Sequence, residues 1–260
     1  MNPINTSPGP LMRTAAPAPA MAAPIAARAL PILLPNAELS PQQTKKIADI
    51  AGIEHYAPGD YLFHAGEPVQ ALFTIVTGVA KLIAHPVHHR PVVFGFAFSN
   101  DMLGQFSPPL HSKTAQAITP LTAYRLPYDR LNHLLHADHR LHQRLLNQFC
   151  ADIRLTQAHL IARRAPAPQR IAAFLLCLHQ RANPDPHDPT IILIPMRRID
   201  IADCLALSTA SLRRILHWFQ TSELIDHLSA SRLRILNPQA LNRLAVGSPP
   251  DPHPFQGPPT

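Results

Sequence analysis

Acidic residues are scarce in this 260-residue chain: 16 Asp and Glu stand against 23 Lys and Arg, for a formal charge of +7. That balance points to an anionic partner such as nucleic acid, a phosphate ligand or anionic lipid. The 16 histidines hold further positive charge, released as pH falls toward about 6.5. Cysteine is scarcer still. Cys150, Cys177 and Cys204 are far apart and form no C-x-x-C pair, which disfavours a zinc site or iron–sulfur cluster built from closely spaced thiolates of one chain. They read as reduced, buried thiols, with Cys150 and Cys204 the better placed for redox sensitivity. Long apolar runs are missing too: no stretch approaches the ~18 residues of a membrane span. Prolines break the N-terminal segment too often for a signal-peptide core. The expectation is a soluble, cytoplasmic protein without a membrane partner. Nor is there a Gly-rich phosphate loop, a G-x-S-x-G elbow or an H-E-x-x-H helix. With few acids in the N-terminal half, no carboxylate pair suggests itself, and no enzyme is expected.

Proline, by contrast, is abundant, and its placement is informative. Of 30 prolines, eight lie in residues 1–36 and six in 249–259. Segments of this composition bury too little apolar surface to offset the entropy of ordering. Residues 1–37 and 247–260 are therefore expected to be flexible tails.

Between the tails the hydrophobic period changes twice. Residues 39–53 ("LSPQQTKKIADIAGI") predict a short helix with Ser40 as N-cap and Pro41 in its first turn. From 56 to 127 short extended runs alternate with turn signals, as in a small barrel or sandwich. "ALFTIV-TG-VAKLIA" predicts a hairpin turning at Thr77-Gly78. Strand signals then stop. "YDRLNHLL" predicts a short helix, and Asp138 can cap a second one reaching about Ala165. The 28 residues 138–165 contain neither Gly nor Pro, a rod of about 42 Å. Leu141, Leu145, Phe149, Ile153 and Leu160 run down one side of it, with Leu146, Cys150 and Ile161 off that side. Such a helix is expected to pack on its own domain and on the same helix of a second copy, which predicts a homodimer. Pro166 and Pro168 make a hinge. A helix over 169–181, a strand "TIILIP" and a pair of helices then lead to two short strands around Ser229–Ser231.

In the last helix, Leu212, Ile215, Leu216 and Phe219 fall at i, i+3, i+4 and i+7, one apolar stripe. The other side carries Thr209, Ala210, Arg213, Arg214 and His217, with no acid beside the two arginines. Ala202 and Ala206 let two helices cross closely, and Ile201, Leu205, Leu212, Ile215 and Phe219 supply a core. This is the packing of a helix-turn-helix; the strand pair after it makes a winged helix. Thr209, Arg213 and Arg214 are the candidates for base readout. Arg198, Ser208, Ser211 and, on the wing, Arg232 are the candidates for phosphate contacts.

Over residues 38–244 the chain resembles the Crp/Fnr superfamily of bacterial transcription regulators. The resemblance lies in "APGDYLFHAGEPVQALFTIVTGVAKL", "PQRIAAFLLCL" and "RRIDIADCLALSTASLRRIL". It implies an α+β chain: a cyclic-nucleotide-binding-type, jelly-roll-like β-roll (38–137), a dimerisation helix (138–165) and a winged helix-turn-helix (166–246). It implies a homodimer on a palindromic operator in double-stranded DNA, with RNA polymerase as partner if the protein activates. Family members often carry Glu, then three residues, then Arg on the reading helix. That Arg falls on Arg214, but the Glu position is Ala210, which cannot accept from cytosine N4; Arg213 stands where a small residue or serine is usual. In the sensor half the family's Gly-Glu and Arg-Ser ligand pairs become Gly104-Gln105 and Lys113-Thr114. Lysine lacks the two-pronged fork of arginine, so cAMP is not expected as cofactor. No cysteine precedes residue 150, which argues against the cluster of the oxygen-sensing branch; "FGFAFSNDMLGQF" looks closer to the clusterless FixK-like branch. The His-rich "HPVHHR" (85–90) reads as a solvated loop rather than a metal site. The alternative is an effector-responsive module whose β-roll ligand controls DNA binding or a protein partner.

Overall fold

The computed structural model describes residues 39–87, 89–105, 110–162, 164–181 and 188–247. Nearly all of both predicted tails lies outside them. Helix α1 (Pro41–Ala48) opens with a capping box: Ser40 accepts from the Gln43 amide, and the Gln43 side chain accepts from the Ser40 amide. The helix stops well before residue 53, because Gly52 already pairs with Arg125. Residues 52–56 are thus a strand and not the end of the expected helix.

Eight strands follow: β1 (Gly52–Tyr56), β2 (Tyr61–Phe63), β3 (Ala71–Thr77), β4 (Ala80–Ala84), β5 (Val92–Ala97), β6 (Met102–Leu103), β7 (Lys113–Ala117) and β8 (Leu121–Pro127). They form two antiparallel sheets, β1-β8-β3-β6 and β2-β7-β4-β5. The expected hairpin at Thr77-Gly78 is therefore not one: β3 and β4 belong to different sheets. Gly78 makes the crossing possible. Its φ is 94°, and a Cβ there would sit 2.4 Å from the Pro120 carbonyl oxygen. Only a glycine fits such a corner.

Period-2 alternation explains what holds the roll together. Ala71, Phe73 and Ile75 of β3 meet Ala115 and Ala117 of β7 between the sheets. The opposite face of the first sheet, with Leu72, Tyr124 and Leu126, is covered by helices. These are α1, α2 (Tyr128–Ala137) and the start of α3 (His139–Ala162). Asp138 caps α3 as expected, accepting from the Leu141 amide at 3.0 Å.

Leu141 and Leu145 correct the sequence reading. They are 0% and 1% exposed and pack with Ile47, Leu131 and Leu135 inside their own domain, so neither faces a partner. Phe149 is half-buried against the same cluster. Ile153 is 56% exposed and Leu146 47%, which puts the open face one step round the helix. The Leu160 side chain lies outside the described residues, and the helix ends at Ala162, short of Ala165.

The C-terminal unit comprises α4 (Ala167–Arg181), β9 (Ile191–Leu193), α5 (Arg198–Cys204), α6 (Thr209–Thr221), β10 (Ile225–His227), β11 (Arg232–Ile235) and α7 (Pro238–Ala245). Its sheet runs β10-β11-β9. The last helix was not expected. Asn237 caps it, accepting from the Ala240 amide, and it buries Leu241 in the C-terminal core.

Candidate nucleic-acid interface

The five core positions expected of the helix pair, Ile201, Leu205, Leu212, Ile215 and Phe219, are all buried. Burial of Leu212, Ile215, Leu216 and Phe219 determines how α6 is rotated. Thr209, Ala210, Arg213, Arg214 and His217 then face outward and are exposed. Ala210, Arg213, Arg214 and His217 line one open depression of about 550 Å³. The helix contains no acid, and among the described residues neither arginine has an ion-pair partner.

Ser208 is the N-cap of α6: its Oγ accepts from the Ser211 amide at 3.0 Å and donates to the Ser211 hydroxyl at 2.9 Å. The two serines thus order the helix start, and the Ser211 hydroxyl hydrogen remains to donate outward. Ala206 differs from its expected place. The first helix ends at Cys204, and Ala206 is an exposed turn residue with φ 53°, so it does not pack between the helices; Ala202 does. Arg170 of α4 holds this turn, donating to the Leu205 carbonyl at 2.5 Å and that of Ala206 at 3.2 Å. Nothing local in the sequence marks Arg170 for that role.

Arg232 is exposed on β11, directly opposite Leu193 of β9. Arg198 is half-buried at the start of α5, near His227 of the wing. Burial, and next the Arg198 charge, hold the His227 imidazole below its ordinary value against the opposing pull of Asp226. The base-facing and backbone-facing candidates therefore sit on one unit made of α5, α6 and the wing.

In the β-roll, the residues matched to a ligand site have partners within the chain. The Gln105 side chain accepts from the Ser112 amide at 2.6 Å. The Thr114 hydroxyl accepts from the Ala65 amide at 3.0 Å and lies 2.9 Å from His85 Nε2. Lys113, on the interior-facing parity of β7, places its ammonium 4.1 Å from the Phe94 ring centroid, and burial lowers its pKa. Among the described residues no three His, Cys, Asp or Glu groups converge as metal ligands, and no described helix is long and apolar enough to cross a membrane. Cys150 is exposed; Cys177 and Cys204 are half-buried.

Comparison with known proteins agrees with this architecture. A cyclic nucleotide-binding domain profile matches residues 53–138, and a Crp-like helix-turn-helix domain profile matches 169–244. The fumarate and nitrate reduction regulatory protein of Yersinia pestis is 28% identical over 194 residues, covering 74% of this chain and 77% of that protein. The transcriptional activatory protein AadR of Rhodopseudomonas palustris is 27% identical over 215 residues, 80% of this chain and 87% of its own. Among solved structures, FixK2 from Bradyrhizobium japonicum superposes with a TM-score of 0.69 at 23% identity, covering 75% of this chain and 97% of that one.

Proposed function

The chain belongs to the Crp/Fnr family of DNA-binding transcription regulators, and from that premise we propose that it acts as a homodimer on a palindromic operator, without cAMP or an iron–sulfur cluster. The observation that carries this reading is the outward face of α6: two arginines and a histidine, exposed, free of acid and seated on a fully packed core. Arg214 takes a bidentate contact to guanine O6 and N7, worth roughly 1–3 kcal/mol of discrimination, and Arg213 and Thr209 reach neighbouring base edges. Arg198, Ser208, Ser211 and Arg232 hold the phosphates on either side and set the register. Ala210 offers cytosine no acceptor, so the pair it faces is discriminated weakly. Two such helices on a two-fold axis require half-sites about 34–36 Å apart, and RNA polymerase is the further partner where the protein activates.

Independence from cAMP is supported by the β-roll. Gln105 and Thr114 are already engaged by backbone amides, and Lys113 rests on Phe94. A cyclic phosphate would have to displace these contacts and would meet a lysine in place of the two-pronged arginine.

The test compares Arg214→Ala with Arg232→Ala on operator and scrambled DNA, without added nucleotide. The first should collapse the ratio of the two affinities. The second should lower both and leave the ratio nearly intact. An unchanged ratio in Arg214→Ala refutes base readout by this helix, and operator binding only after cAMP is added refutes effector independence.

A further inference from the structure

The helix pair does not hang from its hinge alone. Its first helix, α5, lies against β5 of the β-roll, and ion pairs span that junction. Arg90 donates from both terminal guanidinium nitrogens, Nη2 and Nη1, to the Asp203 carboxylate, at 2.6 and 3.0 Å. Lys81 of β4 reaches Asp200 at 3.6 Å. Asp200 is buried and also accepts twice from Arg197 at 3.0 Å. Burial alone would raise its pKa, but the Arg197 hydrogen bonds and the Lys81 charge outweigh burial and keep it ionised. Around this pair of aspartates the contact is apolar. Phe98 is buried with the C-terminal core, and Phe96 meets Phe174 of α4 at 6.1 Å between ring centroids. Arg181 at the end of α4 pairs with Asp101.

We propose that Lys81 and Arg90 are positioning residues for DNA reading: by clasping Asp200 and Asp203 they fix the orientation of α5, and through it of α6, relative to the β-roll. Because the β-roll carries the start of α3, the clasp sets the separation at which the two reading helices of a dimer meet their half-sites. This rests on the dimer–palindrome reading above. The proline-bearing segment after α3 holds the unit by one chain connection; the clasp adds contacts on a second side, and two attachments fix an angle that one does not. The docked arrangement leaves the outer face of α6 exposed, so the clasp does not cover the surface that would meet DNA.

Spacing selectivity reads this directly. The full-length protein would be titrated, by fluorescence anisotropy, with palindromes whose half-sites are moved together or apart by one and two base pairs, and with a single half-site. At one salt concentration the ratio of affinities between two spacings cancels the phosphate contribution. Arg90 is a solvent-exposed side chain, so Arg90→Ala should flatten the ratio by up to about fivefold, the upper range for an exposed pair. Lys81→Met should flatten it further, since Lys81 is mostly shielded from solvent. Single half-site affinity should fall by less than the spacing ratio in either variant, through the field of the unmatched carboxylate alone. The charge reversal Arg90→Asp with Asp203→Arg should restore selectivity that each single change loses. If the wild type is spacing-selective and Arg90→Ala and Lys81→Met are equally so, the clasp is overturned alone. A fall in single half-site affinity that matches or exceeds the loss of spacing selectivity also overturns it, because Arg90 or Lys81 would then act on the DNA itself. A wild type indifferent to spacing overturns the dimer–palindrome reading, and the clasp's role with it.

Discussion

Helix α3 presents one face to its own domain and another to solvent, and the two can be broken separately. Leu145 is 1% exposed and packs under the first sheet with Leu131, Leu135 and Ile47. Leu145→Ala removes side-chain volume from a filled core, a loss of about 2–5 kcal/mol by the general range for such truncations. A domain of this size shifts its melting point by about 4–8 °C per kcal/mol, so the β-roll should melt roughly 10 °C or more below wild type. Dimerisation should survive, because Leu145 does not reach the outer surface. Ile153 is the converse case. At 56% exposed, its replacement by Asp should change the stability of an isolated subunit by no more than about 0.5 kcal/mol, yet it would put an unpaired charge into the helix–helix seam of the proposed dimer. Sedimentation velocity at micromolar concentration, run beside thermal melts, separates the two. Leu145→Ala should sediment as a dimer and melt early; Ile153→Asp should sediment as a monomer. Dissociation of Leu145→Ala at an unchanged melting temperature would refute this division of the helix. A monomeric wild type would remove the seam altogether.

Ala206 occupies the left-handed region at φ 53°, which costs an L-residue roughly 1–2 kcal/mol; Ala206→Gly should therefore raise the stability of the C-terminal unit by about 0.5–1 kcal/mol, part of the relief being offset by unfolded-chain entropy. A lower urea midpoint in that variant would contradict the assignment. His111 is buried, stacked on Phe63 at 3.9 Å between centroids, and its Nδ1 has no hydrogen-bond partner among the described residues. Burial lowers its pKa more than Glu67 raises it, so the folded state binds fewer protons than the unfolded state below about pH 6.5. Its contribution is full above that pH and falls as pH drops toward the folded value. His111→Phe should therefore lose less stability than wild type between pH 7.5 and 5.5 in urea titrations, and an equal loss would refute the claim.

What was legible in the sequence follows the range of the interactions. The α6 stripe and its outward arginines depend on spacings of three and four residues within one helix, and there periodicity alone places every side chain. Capping by Ser40 and Asp138 is equally local. Strand pairing is not. Thr77-Gly78 has the composition of a hairpin turn, but whether β3 pairs with β4 or the chain crosses to another sheet depends on Pro120, which Gly78 must clear. On α3 the apolar residues cover more than one face, so spacing could not say which face the chain uses itself; the position of α1 and α2 assigns Leu141 and Leu145 to the core. Ala206 has the size of a helix-crossing residue, and only the end of α5 at Cys204 reveals it as a turn. Arg170, Lys81 and Arg90 lay beyond sequence reasoning: the partners of Arg170 come near only when α4 packs on the helix pair, and those of Lys81 and Arg90 only when that unit docks on the β-roll.

The scarcity of acid has a spatial counterpart. Around the helix pair, Asp200 is matched by Arg197 and Lys81, Asp203 by Arg90, and Asp188 by Arg234. Two of these matching cations come from the β-roll. A helix-turn-helix whose first helix carried two unmatched carboxylates would set a negative field beside its reading helix and weaken its attraction for phosphate. Docking α5 onto Lys81 and Arg90 removes that field where it would do most harm, while Arg213 and Arg214 on α6 have no acid of their own helix to answer. The contacts proposed to orient the reading helix are thus also the contacts that match the acids beside it. The same salt that weakens phosphate binding should loosen the exposed Arg90–Asp203 pair, so spacing selectivity and affinity should decline together as ionic strength rises.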